Sequence, residues 1–116
     1  MKELDKQQRK VLRSAINTYG VSTQQDVAIE EMSELIKAIL KYRREVIARC
    51  LYEAPETEVR EEIKAKLVEN IVDEIADVRI MLEQLEMIFM ISGEVERRVD
   101  FKIDRLSKRL TACSEE

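Results

Sequence analysis

Helix-breaking residues are nearly absent from this chain: its 116 residues include two glycines, Gly20 and Gly93, and one proline, Pro55. A sheet protein reverses direction every few residues and draws on Gly and Pro to do so, which leaves this chain almost nothing with which to turn strands. Charged residues make up 38% and apolar ones 45%, a balance that suits long amphipathic helices. The expected fold class is all-α.

The breakers divide the chain into four expected helices. The first covers about residues 2–17, with Leu4, Val11, Leu12, Ala15 and Ile16 at helical spacing and Tyr19-Gly20 as its stop. Ser22 and Thr23 are the expected caps of a second helix running to about Leu51, with Ala28, Met32, Leu35, Ile39 and Val46 on one stripe. Pro55 ends that pattern, and Thr57 caps a third helix that continues to about Ile91. Its length admits a kink or break between Lys66 and Asn70, although no Gly or Pro marks one. Ser92-Gly93 closes it, and a fourth helix over about residues 94–110 carries the seam Val95, Val99, Ile103, Leu106 and Leu110, with residues 111–116 frayed.

A chain of this length forms a single domain over residues 1–116, with a charged helical extension around residues 43–66 and no internal repeat. It is short enough that the four-helix bundle is expected to be completed by oligomerisation, as a homodimer or homotetramer.

The formal net charge of -4 argues against a general nucleic-acid binder, which would show a basic excess to displace counterions from phosphates. No histidine is present, and the two cysteines, Cys50 and Cys113, lack CxxC spacing. Thiolate and imidazole metal sites fall away, as does serine–histidine or cysteine–histidine catalysis. The amino-terminal run has no apolar signal core and no stretch has the uncharged length of a membrane span, so the expected location is cytoplasmic, with reduced thiols.

Against this background four carboxylates stand out. Glu31 and Glu34 fall about 60° apart on the second helix and border its apolar stripe, whereas Glu30 points toward solvent. On the third helix the apolar arc is set by Leu67, Ile71, Val78, Met81, Leu82, Leu85 and Phe89; Glu74 projects inside it and Asp77 sits beside it. An unpaired charge in a bundle interior costs several kcal/mol. Two i,i+3 acidic pairs from two helices offer hard oxygen ligands around one centre, which suits Mg²⁺ or Mn²⁺. Glu-x-x-His elements of a di-iron bundle are impossible without histidine. The plainer reading is of ordinary surface charges, Glu34 pairing with Lys37 and Asp77 with nearby cations.

The run Glu30-Glu31-Met32-Ser33-Glu34, followed by Glu74-Ile75-Ala76-Asp77, resembles the EExxE and ExxD signature of the MazG-like all-α nucleoside triphosphate pyrophosphohydrolases. The likeness spans about residues 18–110. The separation of Glu34 from Glu74 exceeds that of compact members, and no aromatic cluster for stacking a base is evident. The resemblance implies Mg²⁺-dependent hydrolysis of a nucleoside triphosphate to monophosphate and pyrophosphate, in a nucleotide house-cleaning role. Glu31, Glu34, Glu74 and Asp77 would hold the metal, and Glu34 is the candidate proton acceptor.

Phosphate chemistry also needs cations. Lys102 and Arg105 are favoured among the basic residues bordering the fourth seam, and Lys41 lies on the Glu34 side of the second helix. Gln25 and Asn70 are candidate nucleotide contacts, with a helix-start polar residue and an orienting partner of Glu74 as their plainer readings. Two other functional classes compete: a catalytically inactive helical module that binds nucleotide or protein, and a purely structural bundle whose melting temperature is indifferent to metal.

Overall fold

In a computed structural model, residues 2–47 and 60–115 are described. They are all-helical, with no strand among them. Helix α1 spans Lys6–Tyr19, α2 Val21–Tyr42, α3 Arg60–Phe89 and α4 Ser92–Glu115; a π-helical turn, Arg43–Ile47, extends α2. The expected Pro55 break and Thr57 cap, and most of the expected extension, lie outside the described residues. Contacts divide the chain into two compact units, one through Leu85 and the other from Glu86.

Local chemistry sets the helix ends. α1 starts four residues later than expected because Asp5 caps it: Asp5 Oδ1 accepts from the Gln8 backbone N–H at 2.8 Å, and Gln8 Oε1 accepts from the Asp5 N–H at 3.0 Å. That reciprocal pair is a capping box and leaves Leu4 outside the helix. Gly20 alone joins α1 to α2. Its φ of +96° is open to glycine but strained for other residues, its N–H closes α1 on the Ile16 carbonyl at 2.8 Å, and its carbonyl accepts the Gln24 N–H at 3.0 Å to open α2. The expected caps Ser22 and Thr23 therefore lie inside the first turn of α2, which has no side-chain cap.

α3 runs unbroken from Arg60 to Phe89, so of the kink or break admitted at residues 66–70 the break is absent. Without a Gly or Pro there, nothing interrupts the backbone ladder. Its stop is also not at Gly93. Met90 takes the left-handed conformation at φ 57°, with the Ile91 N–H on the Glu86 carbonyl at 3.1 Å and the Met90 N–H on the Met87 carbonyl at 3.3 Å. These two bonds form a Schellman closure, and Gly93 falls in the first turn of α4. α4 extends past the expected end at residue 110. Thr111 Oγ1 donates to the Ser107 carbonyl and Ser114 Oγ to the Thr111 carbonyl, each at 3.0 Å, so both hydroxyls bond back onto the helix rather than ending it.

In the first unit the buried apolar residues are Ala28 of α2 and Leu67, Val78 and Met81 of α3. Gln24 and Gln84 are buried with them. Ile39 and Leu82, expected in the core, are exposed on the borders of these stripes, as is Phe89 at the end of α3. No helix among the described residues is long and apolar enough to cross a membrane.

Candidate metal centre

Antiparallel approach of α2 and α3 builds the site. Glu31 meets Glu74 and Asp77, while Glu34, Lys37, Ala38 and Lys41, further along α2, meet Glu74, Asp73 and Asn70, further back along α3. The i,i+3 spacing of each acidic motif points its carboxylates at the facing helix.

One carboxylate oxygen from each of Glu31, Glu74 and Asp77 lies within 4.8 Å of the other two. Ligand oxygens around one octahedral Mg²⁺, at metal–oxygen distances of about 2.1 Å, lie roughly 3 to 4 Å apart, so the three would need to draw closer to share one ion. Glu31 and Glu74 are half-buried, and Asp77 is exposed. Among the described residues, Glu74 Oε2 is buried without a hydrogen-bond partner. A carboxylate oxygen that has lost water and gained no donor is a costly arrangement, which either a proton or a cation would relieve.

Titration behaviour follows from this crowding. Burial lifts the Glu31 carboxyl above its ordinary value of 4.5, and the charges of Asp77 and Glu74, then Glu30 and Glu34, raise it further. Glu74 is raised by burial first and then by Asp77, Glu34 and Asp73. Like charges held together favour the protonated form unless an opposite charge joins them.

Glu34, expected as the fourth ligand, stands outside the triad. Its Oε1 accepts from Lys37 Nζ at 3.2 Å, the Glu34–Lys37 pairing foreseen in the plainer reading. It lines an open pocket of about 200 Å³ with Lys37, Ala38, Lys41, Asn70, Asp73 and Glu74. Two expected substrate contacts, Lys41 and Asn70, are thus brought to the rim of the carboxylate site. Asp73 also lines it and was not singled out from sequence; the signal was available, since Asn70, Asp73 and Asp77 follow i, i+3, i+7 along one side of α3. A larger, mostly apolar cavity of about 420 Å³ lies between α1 and α3, lined by residues that include Leu4, Leu12, Ala76 and Ile80.

Gln25 is half-buried near the start of α2, six residues and about 9 Å of helix rise from Glu31. Lys102 and Arg105 are exposed on α4, in the second unit, and their phosphate role rests on the sequence pattern. Comparison of the chain with known protein families, with curated proteins and with solved structures finds no significant match.

Proposed function

We propose that the chain is a divalent-cation-dependent pyrophosphohydrolase of nucleoside triphosphates, of the MazG-like kind that its EExxE and ExxD motifs resemble, acting in nucleotide house-cleaning as an oligomer. The observation that carries this reading is Glu74 Oε2, buried and without a donor where Glu31 and Asp77 converge. The donor set, three carboxylates and no nitrogen or sulfur, suits Mg²⁺ or Mn²⁺.

When bound, the cation neutralises the triphosphate and makes a water more acidic. Glu31, Glu74 and Asp77 are the residues that would hold that charge, where α2 and α3 meet. Lys41, on the pocket rim, supplies a positive charge for the phosphate oxygens, and the Asn70 amide donates to a phosphate or ribose oxygen or orients Glu74. The water oxygen bonds to phosphorus, the bridge between the α- and β-phosphates breaks, and pyrophosphate leaves. Glu34, beside Glu74 and held by Lys37, accepts the water's proton.

A panel of standard and modified nucleoside triphosphates, assayed for pyrophosphate with Mg²⁺ or Mn²⁺, tests the proposal. Turnover of at least one triphosphate is expected, abolished by chelator and reduced at least a hundredfold in Glu74→Gln. Release of orthophosphate instead, or full turnover by that variant, would overturn it.

A further inference from the structure

Of the four α-helices among the described residues, α1 alone carries charge of a single sign. It holds Lys6, Arg9, Lys10 and Arg13 and no Asp or Glu, whereas α2, α3 and α4 each mix acids with bases. The chain as a whole has a formal charge of -4, so the residues outside α1 together carry -8. Positive charge is gathered on one helix of an acidic protein.

The four cations also share one side of that helix. Lys6, Arg9, Lys10 and Arg13 stand at i, i+3, i+4 and i+7, a stripe roughly 100° wide and about 10 Å long, and Asn17 continues its line. Lys6, Lys10 and Arg13 are exposed and Arg9 is half-buried, and none of the four has a carboxylate partner among the described residues. Leu12 and Ala15, on the far side of the helix, are half-buried, so the stripe is its outer face. The arrangement works against the helix: cations three and four residues apart repel, and Lys6 and Arg9 lie in the first turn, where the backbone dipole is already positive. An anion laid along the stripe relieves both.

We infer that the outer face of α1 is a docking surface for an acidic segment of a partner protein, a short row of carboxylates laid against Lys6, Arg9, Lys10 and Arg13. Charge and length favour that occupant. A nucleic acid duplex carries its phosphates well past a 10 Å stripe, toward a chain whose remainder is at -8. A bilayer surface is held by apolar side chains that insert beside the cations, and the exposed apolar residues of α1, Val11 and Tyr19, lie outside the stripe on other sides of the helix. A row of carboxylates of the stripe's own length meets neither obstacle. None of the site carboxylates is on α1, so loss of docking would leave the metal chemistry intact.

The test is an anisotropy titration of the full chain, at near-physiological salt, with a labelled synthetic helical peptide carrying glutamates at i, i+3, i+4 and i+7. Binding should weaken at least tenfold in Lys10→Glu, vanish in Lys6→Glu/Lys10→Glu, and fall as salt is raised. Both variants relieve repulsion near the helix start and should melt no lower than wild type, which separates lost binding from lost folding. Lys66→Glu, an equal change of net charge at an exposed position of α3, should bind as wild type does. Should a glutamate variant fail to fold, Lys10→Gln decides, with a loss of at least threefold expected and an unchanged affinity counting against docking. Failure of the wild type to bind the peptide, as when the chain's own carboxylates cover the stripe, overturns the inference. So does unaltered affinity in Lys10→Glu, or equal or tighter binding of a scrambled peptide of the same charge, of a DNA duplex or of phosphatidylserine vesicles.

Discussion

Replacing Glu74 by Gln should change stability in opposite directions with and without a divalent cation. In chelator, Glu74 is a partly buried carboxylate facing Glu31 and Asp77, with one oxygen lacking any donor. The near-isosteric amide removes the charge and its repulsion, so the variant should melt above wild type. With cation present, wild type gains linkage stability: at a hundred times Kd this is about 2.7 kcal/mol. At an unfolding entropy of about 2.1 cal/mol/K per residue, the 116-residue chain converts that to roughly 11 °C in Tm.

Loss of one of three anionic ligands should weaken binding at least as much as loss of an outer-shell partner, up to about a hundredfold. The cation then sits near its Kd for the variant, and the shift falls to roughly 2 °C. The assay is a thermal melt of both proteins at one protein concentration, in chelator and across a Mn²⁺ or Mg²⁺ titration, with calorimetric titration giving Kd. A variant that melts below wild type in chelator, or that keeps the full cation-induced shift, would refute the reasoning from crowded carboxylates.

The pH dependence should carry the same signature. The folded-state carboxyls of Glu31 and Glu74 are raised above 4.5, so the folded chain binds more protons than the unfolded one between the two values. Without metal their contribution is fully present below about pH 4.5 and is lost as pH rises through the folded values; saturating cation should remove or reverse that trend, read as Tm against pH in the two conditions. Gln84→Met should stabilise by about 1 kcal/mol in urea melts, because Gln84 Oε1 is buried with no donor among the described residues and the thioether fills similar space. Met90→Gly should also stabilise, by roughly 0.5 to 1 kcal/mol, since Met90 is 87% exposed at φ 57° and gives up little packing; a loss of helix signal in that variant would contradict the Schellman assignment.

Much of the helical architecture could be read from residue order because the signals are local. Scarcity of Gly and Pro excluded strands, Gly20 marked a real junction, and the periodicity of Ala28, Leu67, Val78 and Met81 identified the buried sides. Helix ends were less legible. The Asp5–Gln8 capping box lay in plain view, whereas the Met90 closure uses a residue whose side chain gives no warning of a left-handed backbone.

At the site, sequence spacing put Glu74 within the apolar arc of its helix and Glu31 and Asp77 at the borders of theirs, since each helix's 3.6-residue period is an internal property of the chain. Which oxygens share a centre was decided by how α2 lies against α3. Only that pairing separates Glu34, drawn aside by Lys37, from the triad, and only it brings Asp73, Lys41 and Asn70 to one rim. Distances between helices depend on side-chain volumes and register summed over the whole contact, and no run of neighbouring residues encodes that sum.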